Sequence, residues 1–154
     1  MHSRIFHITK EPENYTAIDP ERYYEWPPAD YVTPMDKENV YYETNEWLKG
    51  RTGFNVDSNK ATIQIKSKEE ALKPFYKGFM DGLKDAQSMS FEEFSEKWPF
   101  HAGWEKAKNA FSQEYGIYFD DNDEDFGMVT LQDFIRSAKE GVTYHVVGVF
   151  DYHY

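Results

Sequence analysis

From Gly141 onward the side-chain period is two: Val142, Tyr144, Val146, Gly148, Phe150, Tyr152 and Tyr154 alternate with Thr143, His145, Val147, Val149, Asp151 and His153. Both series carry apolar groups through the middle. The segment therefore predicts a strand covered on both sides there, central in a sheet, and half exposed toward Asp151 and His153. Gly148 predicts a bulge or a close backbone approach within it.

A helix is predicted just before that strand. Thr130 and Asp133 form a capping box ahead of Leu131, Phe134, Ile135 and Ala138, which share one face. Arg136 and Lys139 suit the negative end of the helix, and Gly141 is expected to stop it.

Ser3 to Thr9 alternates like a strand and is expected to pair with the C-terminal one. Lys10 to Thr33 reads as a long loop with a helical turn opened by Asp19-Pro20 and ended by Pro27-Pro28. It carries Tyr15, Tyr23, Tyr24, Trp26 and Tyr31. These rings have two readings: a lid over the core with polar tips in water, or a recognition surface.

Asp36 to Lys49 predicts a helix with Val40, Thr44, Trp47 and Leu48 along one stripe, stopped by Gly50. Phe54 to Val56 and Ala61 to Lys66 predict a hairpin around Asp57 to Lys60. A second capping box, Ser67 and Glu70, opens a helix that turns Ala71, Leu72, Phe75, Phe79 and Leu83 inward, with Pro74 expected to kink it or to mark where its regular part begins. A third box, Ser90 and Glu93, opens a short helix ending at Trp98-Pro99. Another helix is expected from Ala102 to Tyr115, and Ile117 to Phe119 as an edge strand.

These elements predict one globular domain over residues 1–154, of α+β class. Its small, mostly antiparallel sheet includes the N- and C-terminal strands and is covered by several helices on one face, leaving the other open to solvent or a partner.

Asp and Glu number 28 against 17 Lys and Arg, a net charge of -11, which repels phosphate backbones; no direct nucleic-acid binding is expected. The absence of cysteine excludes disulfides, thiolate nucleophiles and cysteine-ligated metals. The apolar run near the N-terminus is only Ile5 and Phe6, and no apolar window approaches a membrane span, so a soluble, cytoplasmic protein without membrane association is expected.

No nucleophile elbow, metalloprotease helix, phosphate loop or dinucleotide fingerprint is present, and neither catalytic residues nor a cofactor is expected. The acid run Asp120, Asp121, Asn122, Asp123, Glu124, Asp125 begins like a calcium loop. It fails where Phe126 replaces the turn glycine and Gln132 the bidentate glutamate. Its expected uses are a solvated loop or a contact patch for a basic partner. His145, Asp151 and His153 share a strand face, and His7 would join them if the first strand lay alongside, giving ligands for a metal or an acid/base pair. His101, among Trp98, Phe100 and Trp104, marks a second candidate pocket.

The expected function is a small, non-enzymatic binding or inhibitory protein that meets a basic macromolecular partner through a negative, aromatic-rich surface. The residues expected to carry it are Asp120, Asp121, Asp123, Glu124, Asp125, Tyr23, Tyr24 and Trp26. The alternative is a small enzyme or ligand-binding domain with an aromatic pocket and a histidine-based site. A homo-oligomer burying the aromatic face is a third reading.

Overall fold

The computed structural model describes residues 2–17, 19–21, 23, 31–96, 103, 105, 107, 116–123 and 127–153. Its strands are β1 (His2–Thr9), β2 (Tyr31–Pro34), β3 (Phe54–Asp57), β4 (Thr62–Ile65), β5 (Ile117–Asp121), β6 (Met128–Thr130) and β7 (Thr143–His153). The helices with defined ends are α1 (Lys37–Leu48), α2 (Lys68–Gln87), α3 (Phe91–Glu96) and α4 (Leu131–Ser137). The strands join in one seven-stranded sheet that includes both terminal strands, and the protein is α+β.

The eleven-residue β7 is central, as its two apolar faces require. It runs antiparallel to β1 along one edge, while β4 pairs with its beginning and β2 with its end along the other. Beyond β1 the sheet continues with β5 and then β6. The β1–β5 pairing is parallel and the rest are antiparallel. Ile117 to Phe119 is thus not at an edge: Met128 to Thr130, which reads in sequence as the approach to a helix, takes the outer position.

One irregularity sets the facing of everything on β7. His7 stands opposite Gly148, but Ile8 stands opposite Val146, so Val147 is an extra residue. The bulge beside Gly148 follows the sequence expectation, and it reverses the side-chain phase of the strand. Val149 and Val146, three apart, therefore both join Phe6 and Ile8 in the main core.

That core lies on the helical face. Val40 and Leu48 of α1, Ala71 of α2, and Leu131, Phe134 and Ile135 of α4 close over the sheet. Burying a side chain of leucine or phenylalanine size contributes about 1.5–3 kcal/mol, so this layer dominates stability. The opposite face is not left open as expected. Ile5, Val32, Phe150 and Tyr152 form a second buried cluster there with Tyr23, which comes from the segment after β1.

Local cues explain the helix starts. Ser67 Oγ accepts from Glu70 N at 3.2 Å and Thr130 Oγ1 from Asp133 N at 3.2 Å. Pro74 does not end or delay α2, which runs through it from Lys68. Pro74 is exposed, as is Glu70 four residues before it, so the carbonyl that loses its donor is on the solvated side of the helix. Gly141 does not terminate α4, which ends at Ser137; it turns the chain four residues later with φ +76°. The side chains around Pro27-Pro28 and most of the expected 102–115 helix lie outside the described residues. Within that stretch Gly103, Glu105 and Ala107 are helical, and Gly103 and Ala107 cross α2 at Gly82 so closely that a Cβ on Gly82 would stand 2.4 Å from Ala107 N.

A charged group closes the far end of the sheet. Arg4 Nε donates to Glu43 Oε2 at 2.7 Å and Nη1 to Asp151 Oδ1 at 2.6 Å, while its guanidinium lies 5.5 Å from the Trp47 ring centre. All three charged side chains are largely buried, and together they tie α1 to β1 and β7.

Candidate functional site

The acid run begins at the end of β5, where its first member turns inward. Asp120 is fully buried, and its Oδ2 accepts the Tyr23 hydroxyl at 2.7 Å. Tyr23 is delivered by the Asp19-Pro20 turn, in which Glu21 N donates to Asp19 Oδ1 and Tyr23 N to Pro20 O. The structure thus brings together two residues expected on a partner-binding surface, but inside the molecule. The Tyr23 tip is not in water, and neither group offers outward area. A buried carboxylate holds its position only when hydrogen-bonded, which is what the phenol supplies.

Asp121 is half buried and Asp123 is exposed at the loop that follows. Asp123 carries structural load: its carboxylate accepts Thr9 Oγ1 at 3.0 Å and Lys10 N at 2.7 Å, and its own N–H donates to Asp121 Oδ1 at 3.0 Å. Glu124, Asp125, Tyr24 and Trp26 lie outside the described residues, as do His101 and the aromatic residues proposed to surround it.

The histidine group is separated by the bulge. His145 pairs with Thr9, which lies with His7 on the face of the second cluster, whereas Asp151 pairs with Arg4 on the helical face, and His153 follows it in phase. His145 and His153 also stand at opposite ends of β7. Among the described residues no group of three His, Asp or Glu side chains is placed to hold a metal ion. His7 is instead packed within the sheet. It is fully buried, beside Asp120 in the parallel register, with Nδ1 3.3 Å from the Tyr15 hydroxyl and its ring edge-on to that of Tyr15.

What the surface does offer is a set of rings on acidic helices. Phe91 and Phe94 of α3 are 83% and 51% exposed. Three residues apart, they share a face of the helix, with Glu92 and Glu93 exposed between them. The helix is fixed by a reciprocal cap, Glu93 N donating to Ser90 Oγ at 3.1 Å and Ser90 N to Glu93 Oε2 at 3.0 Å. On α1, Tyr42 is 60% exposed, and Glu38 and Glu46 lie four residues to either side, so the ring sits in line between two exposed carboxylates. On α2, Lys73 and Lys77 are matched by carboxylates of their own helix. The Lys73 amine is raised above its ordinary value by hydrogen bonds to Glu70 and then Glu69, and that of Lys77 by Asp81. Nothing local in the sequence tells that Phe91 and Phe94 face outward, since rings on one face of a helix normally turn to the core.

The carboxyl ends of β1 and β5 lie side by side, stitched by Asn122 N donating to Ile8 O at 2.8 Å. Below them, on the helical face, is a cavity of about 230 Å³ between β5, β6 and α4. Family models, characterised proteins and solved structures were all compared with the chain, and none matches.

Proposed function

We propose that the protein is a non-enzymatic binding protein whose acidic, ring-bearing helices engage a basic macromolecular partner. The observation that carries this reading is Phe91, 83% exposed on a capped helix that also bears exposed Glu92 and Glu93, with the half-exposed Phe94 on the same face. Leaving a phenylalanine fully exposed forgoes about 1.5–3 kcal/mol of burial, which applies to most of Phe91 and to part of Phe94. A partner that covers both rings recovers that term.

The chemistry selects arginine or lysine on the other side. A guanidinium over a phenyl face is attracted by the ring quadrupole, and Glu92 and Glu93 add negative charge to the same short helix. The net charge of -11 draws such a partner from a distance, while the rings hold it once docked. Tyr42, between Glu38 and Glu46, repeats the arrangement on α1. Asp121 and Asp123 contribute to the field; Tyr23 and Asp120, being buried, do not contribute to the contact.

A photoreactive phenylalanine at position 91 tests this in an extract of the source cells. The expected result is a crosslink to a protein of net positive charge, competed by added wild-type protein and weakened at high salt. A crosslink confined to acidic proteins, or none at position 91, overturns the proposal.

A further inference from the structure

Beyond this surface, the geometry points to the Tyr144 hydroxyl as the donor of a small-molecule site, in the cavity between β5, β6 and α4, for an uncharged aromatic ring that carries one carbonyl group. Two hydroxyl side chains are among the described residues that line this cavity. That of Ser137 is spent within α4, donating to Phe134 O at 3.2 Å. That of Tyr144 accepts the Lys139 N–H at 3.2 Å and keeps its own proton, which no acceptor among the described residues takes. Tyr144 is 3% exposed, so a guest that fills the cavity shuts water away from this O–H and has to supply an acceptor in its place. A carbonyl oxygen does so.

The wall beside that donor is aromatic. Phe119 and Phe134 stack with centroids 4.2 Å apart and an interplanar angle of 19°, and Tyr144 meets Phe134 edge-on at 5.3 Å. Rings prefer further rings in offset or edge-on contact, so this wall favours a flat aromatic guest. The size agrees. An apolar cavity of about 150 Å³ takes benzene, so about 230 Å³ scales to roughly nine non-hydrogen atoms, a ring with one small carbonyl substituent.

The guest is uncharged because its surroundings are. The charged side chains among the described lining, Lys10, Asp121 and Lys139, are exposed or half buried, and their charges stay in water. Against the Phe119, Phe134 and Tyr144 rings a carboxylate would give up its hydration, whereas a ketone, aldehyde or amide gives up far less and recovers it from one O–H donor.

Acetophenone is the probe. Cyclohexyl methyl ketone keeps its carbonyl without the aromatic ring, benzoate carries a carboxylate on the same ring, and toluene has the ring without a carbonyl. Calorimetry and amide chemical shifts on the full chain are expected to give saturable acetophenone binding with Kd of about 1 mM or tighter, the shifts centred on β5, β6 and α4. Cyclohexyl methyl ketone is expected to bind about threefold weaker or more, and benzoate at least about tenfold weaker. Tyr144→Phe keeps the ring and removes the donor. It is expected to lose at least about tenfold for acetophenone while holding toluene within about twofold of wild type, which shows the cavity intact. Phe91→Ala is expected to leave acetophenone binding unchanged, which separates this site from the surface on α3. No saturable binding of acetophenone to the wild-type protein overturns the assignment. So does benzoate or cyclohexyl methyl ketone binding as tightly as acetophenone, full acetophenone affinity in Tyr144→Phe, or a loss there that toluene shares equally.

Discussion

The hydroxyl of Tyr23 donates to the carboxylate of Asp120 at 2.7 Å, ninety-seven residues away in sequence and out of reach of water. This bond fastens the segment after β1 across the second face of the sheet. Tyr23→Phe keeps the ring, which packs 5.3 Å from Phe150, and removes only the donor. The expected loss is about 1–3 kcal/mol by urea unfolding, because the carboxylate stays buried without that bond. Asp120→Asn is expected to lose less when combined with Tyr23→Phe than the two single losses added, since both variants break one contact.

The bulge at Val147 yields a sharper contrast. Deleting Val147 is expected to abolish cooperative unfolding, because residues 143–146 must either turn to the wrong face or leave their register with β1 and β4. Gly148→Ala is expected to cost under about 1 kcal/mol: its Cβ would meet Tyr15 and His7 at ordinary contact distances of 3.6 and 3.7 Å. Chemical unfolding followed by circular dichroism distinguishes the two.

Arg4 holds two largely buried carboxylates at once. Arg4→Met retains much of the stem against Trp47 yet leaves Glu43 and Asp151 without their shared cation. About 3 kcal/mol of stability is expected to be lost. Adding Glu43→Gln and Asp151→Asn to Arg4→Met is expected to restore part of that loss, measured by the same unfolding curves.

Gly82 tests the crossing of α2 with the helical segment at Gly103 and Ala107. A methyl group at position 82 would sit 2.4 Å from a backbone nitrogen, so the helices must part. Gly82→Ala is expected to destabilise by about 1–3 kcal/mol despite its better helix propensity, whereas Lys84→Ala on the exposed side stays within about 0.5 kcal/mol.

The fold class and most helix starts were legible because their signals are local. Capping pairs such as Ser67–Glu70 and Thr130–Asp133 act within one turn, and the period-two run of β7 reports its own burial. Pairing partners were legible for β1 with β7 and for the β3–β4 hairpin. The parallel placement of β5, the edge position of β6 and the end-to-end sharing of one β7 edge by β2 and β4 depend on long-range packing. The histidine group failed for one definite reason: an extra residue at Val147 is silent in a pattern of alternation yet exchanges the two faces. Tyr23 and Asp120 read as surface groups because a tyrosine in a loop and an aspartate in an acid run usually are. Their burial depends on each other, and neither residue announces the partner. The outward rings of α3 were missed from the opposite side, since an apolar stripe on a helix normally faces the core.

The most direct measurement is the affinity of the basic partner recovered by crosslinking at position 91 for the wild type and for the Phe91→Ala/Phe94→Ala variant. Both are expected to unfold at the same urea concentration within about 0.5 kcal/mol, since the rings are exposed. Binding by the double variant is expected to be weaker by about 2 kcal/mol or more, roughly thirtyfold. Equal affinity of the two proteins for that partner would contradict the account.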